Sequence, residues 1–304
     1  MKTTLPHLPD YAEQDLQQLA GLALQALPQT EMIILYDSYA KGSYVSYDRR
    51  VEFGIPTSYK SDYDILVVTS GIDSDEAADI LDEVDSQYYK DPEQQVPVEF
   101  INEDIEKLNS DLSEGRYFYT DIKNEGILLY DKGTYSLSDA RRLTDREICE
   151  QAQEYFQVKF EYADAFLQNA RFDYKEERYT MAAFHLHQAC MNYFYAFHLV
   201  CTLRNDKQHD LAKLLSSATF LEAGFRQIFP RQTVEEKRLF NLLRKAYIEA
   251  RYNAGFLVGR EDTECLLSKT ELLRGTTESL CQERIETYRK RVAAARNKPA
   301  FPDE

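Results

Sequence analysis

Ser61-Asp62-Tyr63-Asp64-Ile65-Leu66-Val67-Val68 sets two carboxylates at the head of an apolar strand. Side chains alternate along a strand, so Asp62 and Asp64 project to the same side. Like charges so placed repel unless a cation joins them, and Mg²⁺ commonly takes one or two carboxylates together with substrate phosphates. Glu99 is a charge inside another apolar run, Val96-Pro97-Val98-Glu99-Phe100-Ile101, and is the candidate third ligand. The competing reading is that all three are solvated strand ends.

Working outward, Met32-Ile33-Ile34-Leu35-Tyr36 and Gly126-Ile127-Leu128-Leu129-Tyr130 read as two further strands. Pro97 places its strand's start there, or the strand at a sheet edge. Leu16, Leu19, Ala20, Ala23 and Leu27 form one helical stripe, with Asp10 as the expected cap and Glu13 three residues on. Ala77, Ile80, Leu81 and Val84 predict a second helix. Strands alternating with helices argue for a small α/β sheet. Upstream of Asp62, Tyr36-Asp37-Ser38-Tyr39-Ala40-Lys41-Gly42 carries a strand into a serine and then into residues able to open a helix.

Past about Ser138 the pattern turns wholly helical, over roughly 144–171, 176–203, 235–253 and 263–296, with Thr144 and Glu147 as a capping box. The expected organisation is an α/β domain over 1–138 and an all-α bundle over 139–304.

The ordered motifs of the first half resemble the nucleotidyltransferase superfamily in its minimal form, also seen in kanamycin nucleotidyltransferase. That pattern is an apolar strand, Gly-Ser, a short helix, Asp-x-Asp on the next strand, a third acid on a later one and a closing strand. The resemblance implies that Asp62, Asp64 and Glu99 are catalytic and hold Mg²⁺. It further implies that Ser38, Lys41 and Gly42 contact a nucleoside triphosphate, ATP in the first instance, and that an acceptor hydroxyl attacks its α-phosphate. The acceptor is unnamed: a small molecule, a protein or an RNA. Asp37 stands where the pattern has glycine. Aspartate tolerates the left-handed conformation better than most residues but brings a negative charge towards a triphosphate. The stretch from Ser38 to Asp62 is also longer than usual and carries Tyr44, Tyr47, Phe53 and Tyr59. It reads either as a packed loop or hairpin or as a lid over the acceptor.

In the second half, Arg204-Asn205-Asp206-Lys207-Gln208-His209 is similar to the R-x(4–6)-H motif of HEPN domains, and Ala246–Tyr252 resembles their last core helix. The resemblance implies a homodimer through the helical domain and, at Arg204, Asn205 and His209, a possible ribonuclease site. Some paired systems modify a tyrosine two positions after the motif histidine. Leu211 occupies that place and excludes it. His185, His187 and His198 are expected to be packed or surface residues, since positions two apart on a helix do not share a face. Three functions therefore stand open: a Mg-dependent nucleotidyltransferase, a HEPN ribonuclease restrained by the first domain, and a nucleotide-sensing module whose transferase site has decayed at Asp37.

Charge narrows these. Residues 1–140 hold 28 acidic and 10 basic side chains, a balance of −18, while 141–304 hold 24 and 26, a balance of +2. So acidic a first domain repels long polyanions, which favours a neutral or cationic acceptor and leaves RNA to the second half. Five cysteines with no C-x-x-C spacing are expected to be buried free thiols. With no long apolar stretch and no signal-peptide pattern, the expectation is a cytoplasmic protein away from membranes.

Overall fold

A computed structural model describes residues 2–5, 7–45, 48–52, 55–59, 61–90, 96–204 and 209–296. The chain divides into two compact units, residues 1–142 and 143–304.

The first unit runs α1 (Asp10–Ala26), β1 (Thr30–Tyr36), α2 (Asp37–Lys41), β2 (Asp48–Glu52), β3 (Ile55–Tyr59), β4 (Tyr63–Thr69), α3 (Ser74–Tyr88), β5 (Val98–Asp104), α4 (Ile105–Ser113), α5 (Tyr117–Glu125) and β6 (Ile127–Asp131). Four strands form one sheet in the order β5-β4-β1-β6. β4 and β5 are parallel and connected through α3, whereas β1 is antiparallel to both β4 and β6. β5 is thus an edge strand, and Pro97 lies just before its first residue. On one face Ile33, Leu35, Tyr63, Ile65 and Val67 pack with Leu16, Leu19, Ala77 and Leu81 of α1 and α3. On the other, Met32, Ile34, Tyr36, Leu66 and Val68 pack with Ile105, Leu108, Leu112 and Ile122 of α4 and α5. With both faces covered, every residue of β1 is buried, which explains its unbroken apolar run.

Three details depart from the sequence pattern. Pro9, not Asp10, occupies the cap of α1 and makes no side-chain capping bond; Asp10 is the first helical residue, where its charge still complements the helix dipole. α4 and α5 are too short for their periodicity to stand out, although Asp104 caps α4 by accepting from the Glu106 and Lys107 amides. The long stretch before Asp62 contains the hairpin β2–β3. Its base is pinned where the Ser61 amide donates to the Val45 carbonyl and the Val45 amide to Ser61 Oγ, each at 3.0 Å. An insertion closed at its neck can lengthen without displacing the strand that follows. Tyr47 and Phe53 lie outside the described residues.

Gly126 is fixed by close approach. A Cβ there would sit 2.5 Å from the Ile122 carbonyl oxygen and 2.9 Å from Ile34 Cγ2, so only glycine lets α5 turn directly into β6.

The second unit comprises α6 (Asp145–Lys175), α7 (Tyr179–Thr202), α8 (Leu211–Leu221), a 3-10 turn (Ala223–Gln227), α9 (Val234–Tyr252) and α10 (Arg260–Arg296). The Thr144–Glu147 capping box forms, and Thr233 with Glu236 makes a second one. α7 is buried almost all round and is the central helix, touching α6, α8, α9 and α10. Cys149, Cys190 and Cys281 are buried and Cys201 is partly so, but Cys265 is exposed, against expectation; all five are free thiols. No described helix is long and apolar enough to cross a membrane.

Candidate functional site

The register of three strands assembles the first site. Tyr36 of β1, Asp64 of β4 and Glu99 of β5 are mutual partners across the sheet, so they form one row. Asp64 shares the parity of Leu66 and Val68 and therefore lies on the α4/α5 side, at the end where β4 and β5 begin and β1 finishes. Asp62, two residues earlier, joins it. Each of Asp62, Asp64 and Glu99 offers a carboxylate oxygen, and these oxygens lie within 4.8 Å of one another. Oxygens on adjacent corners of an octahedral Mg²⁺ bound at about 2.1 Å would be roughly 3 Å apart, and on opposite corners about 4.2 Å, so the three must draw closer together to share one such ion.

Elsewhere the same sheet neutralises its carboxylates. Glu31, near the opposite end of β1, is buried and accepts from Lys132 Nζ at 2.9 Å and Ser70 Oγ at 2.8 Å. Glu103 of β5 is buried against Lys107 and the Tyr119 hydroxyl. Among the described residues, no lysine or arginine pairs with Asp62 or Glu99. Such a concentration of negative charge is costly without a cation. Tyr36 registers it: burial first, then the charges of Asp64, Glu99, Asp37 and Asp62, push its phenol far above the usual tyrosine value and keep it protonated.

Asp37 follows Tyr36 with φ +56, in the left-handed region where the sequence pattern expects glycine. The backbone at this turn therefore retains the glycine-like conformation despite the side chain. Ser38 Oγ is buried and, among the described residues, has no hydrogen-bond partner. Lys41 Nζ lies 2.9 Å from Glu125 and 3.5 Å from Asp37. Partial burial acts to lower its pKa, but pairing with the two acids outweighs this and raises it. Gly42 ends α2 with φ +74, and a Cβ there would meet the His7 ring at 3.2 Å. Ser38 is thus left with an unanswered hydroxyl, Lys41 is shared between two acids of the chain, and Gly42 serves as the helix C-cap.

A separate cleft, about 460 Å³, opens in the second unit beside His209. Tyr247 of α9 stacks with two imidazoles, His187 at 5.0 Å and His209 at 5.6 Å between ring centroids. His187 is 1% exposed, and its Nδ1 has no partner among the described residues. Burial, followed by the neighbouring His209, lowers its pKa to about 3, so it is neutral at physiological pH. Arg244 holds Asp210 through two bonds of 3.1 and 3.0 Å. Burial opposes ionisation of Asp210, but Arg244 and the Ala212 amide keep its carboxylate below the usual range. The family model described as HEPN domain matches residues 156–280.

The second unit carries a HEPN domain.

No curated protein matches the chain. Among solved structures, the chain is similar to a nucleotidyltransferase-like protein from Exiguobacterium sibiricum, at 13% identity and a TM-score of 0.41, over 94% of this chain and 81% of that one. At that score the two share too little superposed geometry for one to inform the chemistry of the other.

His209 lines the cleft, Arg204 is exposed and is not among its lining residues, and Asn205 lies outside the described residues. The cations on the cleft are Arg244 and Lys245 of α9. Asn241, Arg244, Lys245 and Ile248 recur at helical spacing, and that stripe was the available sequence signal for this face. Of the histidines along α7, His185 bonds Asp173 at 2.7 Å, and His187 and His198 are buried.

Proposed function

We propose that the first unit is a Mg²⁺-dependent nucleotidyltransferase, moving a nucleoside monophosphate from a triphosphate such as ATP to an acceptor hydroxyl. The observation that carries this reading is the convergence of Asp62, Asp64 and Glu99 oxygens within 4.8 Å beside the Tyr36–Ser38 turn. These three residues would hold the cation, which when bound neutralises charge developing on the transferring phosphoryl group. Glu99, exposed at the sheet edge, is placed to take the proton from an incoming hydroxyl. The unanswered Ser38 hydroxyl suits a phosphate oxygen. Asp37 does not bar the reading: its backbone holds the glycine-like conformation, and Lys41 partly offsets its charge. The strong acidity of this unit favours a neutral or cationic acceptor over a long nucleic acid.

The test is calorimetric titration with Mg²⁺–ATP, together with pyrophosphate release over a panel of small-molecule, peptide and RNA-end acceptors. Saturable binding and release, both lost in Asp64→Asn, are expected. Binding that survives this change, with no release for any acceptor, would instead favour a nucleotide-sensing role.

A second reading, ribonuclease action by the HEPN unit, is favoured by the cleft on which His209 opens. Its test is degradation of single-stranded RNA that disappears in His209→Ala. Arg204→Ala then shows whether the motif arginine takes part from its exposed position.

A further inference from the structure

A second cavity in the HEPN unit, about 800 Å³, is lined by residues other than those around His209, from α8, the 3-10 turn and the loop entering α9. Its apolar lining comes from Leu215 and Phe229, both buried, and from Phe220, which is 89% exposed. The Phe220 ring is thus free to cover an apolar group seated in the cavity. Arg226 and Arg231 line the same space, with the Thr219 hydroxyl between apolar and polar walls. Among the described residues neither arginine has an ion pair, and no aspartate or glutamate lines the cavity. Residues 141–304 are close to neutral, with 24 acidic and 26 basic side chains, so the positive charge here is a feature of the cavity wall and not of the unit as a whole. The Arg231 guanidinium already lies over the Phe240 ring, 5.4 Å from its centroid, which steadies its plane.

We propose that this cavity binds a small organic anion with an aromatic or apolar body and a single acidic group. The size lies within the range of ordinary small-molecule sites, which are mostly apolar with a few convergent polar groups. Leu215, Phe229 and Phe220 receive the apolar body. Arg226 and Arg231 receive the acid, since a guanidinium offers paired donors matched to a carboxylate or phosphate. Nothing in this assignment depends on transfer by the first unit or on RNA cleavage at His209.

The probe is 8-anilinonaphthalene-1-sulfonate, an aromatic anion, titrated into the full chain and followed by fluorescence. Its neutral counterpart, N-phenyl-1-naphthylamine, separates charge recognition from apolar burial. The expected result is saturable binding of the sulfonate that weakens at least about 10-fold in Arg226→Gln/Arg231→Gln, a loss of about 1.4 kcal/mol. The neutral dye is unaffected by that change, and Phe220→Ala weakens both dyes. Benzoate and phenyl phosphate displace the sulfonate. All three side chains are exposed, so these variants keep the fold, as circular dichroism will verify. Equal sulfonate binding by the double arginine variant would overturn the proposal. So would an equal loss in Lys245→Gln, which belongs to the other cleft, or displacement by polyglutamate but by neither small acid.

Discussion

The two candidate sites handle charge in opposite ways. At the end of the sheet, Asp62 and Glu99 stand beside Asp64 with no described cation against the first two, in a row with a phenol that cannot ionise. In the HEPN cleft, more of the charge and ring contacts are met within the protein: Arg244 answers Asp210, and Tyr247 stacks with both His187 and His209. On the proposed function, a divalent cation completes the first arrangement. The second is nearly complete, save for the buried Nδ1 of His187.

The change expected to have the largest effect breaks the first side of that contrast. Asp64→Asn should reduce pyrophosphate release by about 100-fold or more, as removal of a central electrostatic contact does. The same change should leave thermal stability intact, because it removes like-charge repulsion. A next test asks whether the scaffold behind the carboxylates is as rigid as its packing suggests. Gly126→Ala should destabilise the first unit by about 2 kcal/mol, since the added methyl has no room against the Ile122 carbonyl. Chemical denaturation followed by a probe in that unit would read this.

The other side of the contrast is sharpened by pH. Folded His187 has a pKa of about 3, below its unfolded value of about 6.5. Above the unfolded value both states are neutral and stability is unaffected by this residue. As pH falls below about 6.5, the unfolded chain gains a proton that the folded one refuses, so stability is lost down to the folded pKa. The expected slope is about 1.4 kcal/mol per pH unit near pH 5. It should be missing from His187→Asn, and so appear in the difference between wild type and that variant measured across pH 4–7. The smallest effect concerns Asp37. Replacement by glycine should relieve about 1 kcal/mol of left-handed strain and tighten Mg²⁺–ATP binding several-fold in calorimetry. Weaker binding would mean that Lys41 needs its 3.5 Å partner.

Residues with strictly local meaning were legible before any coordinates. The Asp62–Asp64 alternation, the buried run of β1 and the Thr144–Glu147 box each follow from period or from capping chemistry. Asp10, the short helices α4 and α5, and exposed Cys265 were misread or missed. A cap depends on which residue leaves the helix, and nine-residue helices show barely two turns of pattern.

The sequence by itself therefore determined the sheet-then-bundle order of the chain and the acidic motifs on strands. Both are written in side-chain periods of two and 3.6 residues. Only tertiary structure decided that Glu99 stands opposite Asp64, that Tyr36 joins their row, and that Arg244 and not Arg204 lines the His209 cleft. These are relations between residues far apart in the chain. They depend on strand register and helix packing, which no local pattern encodes.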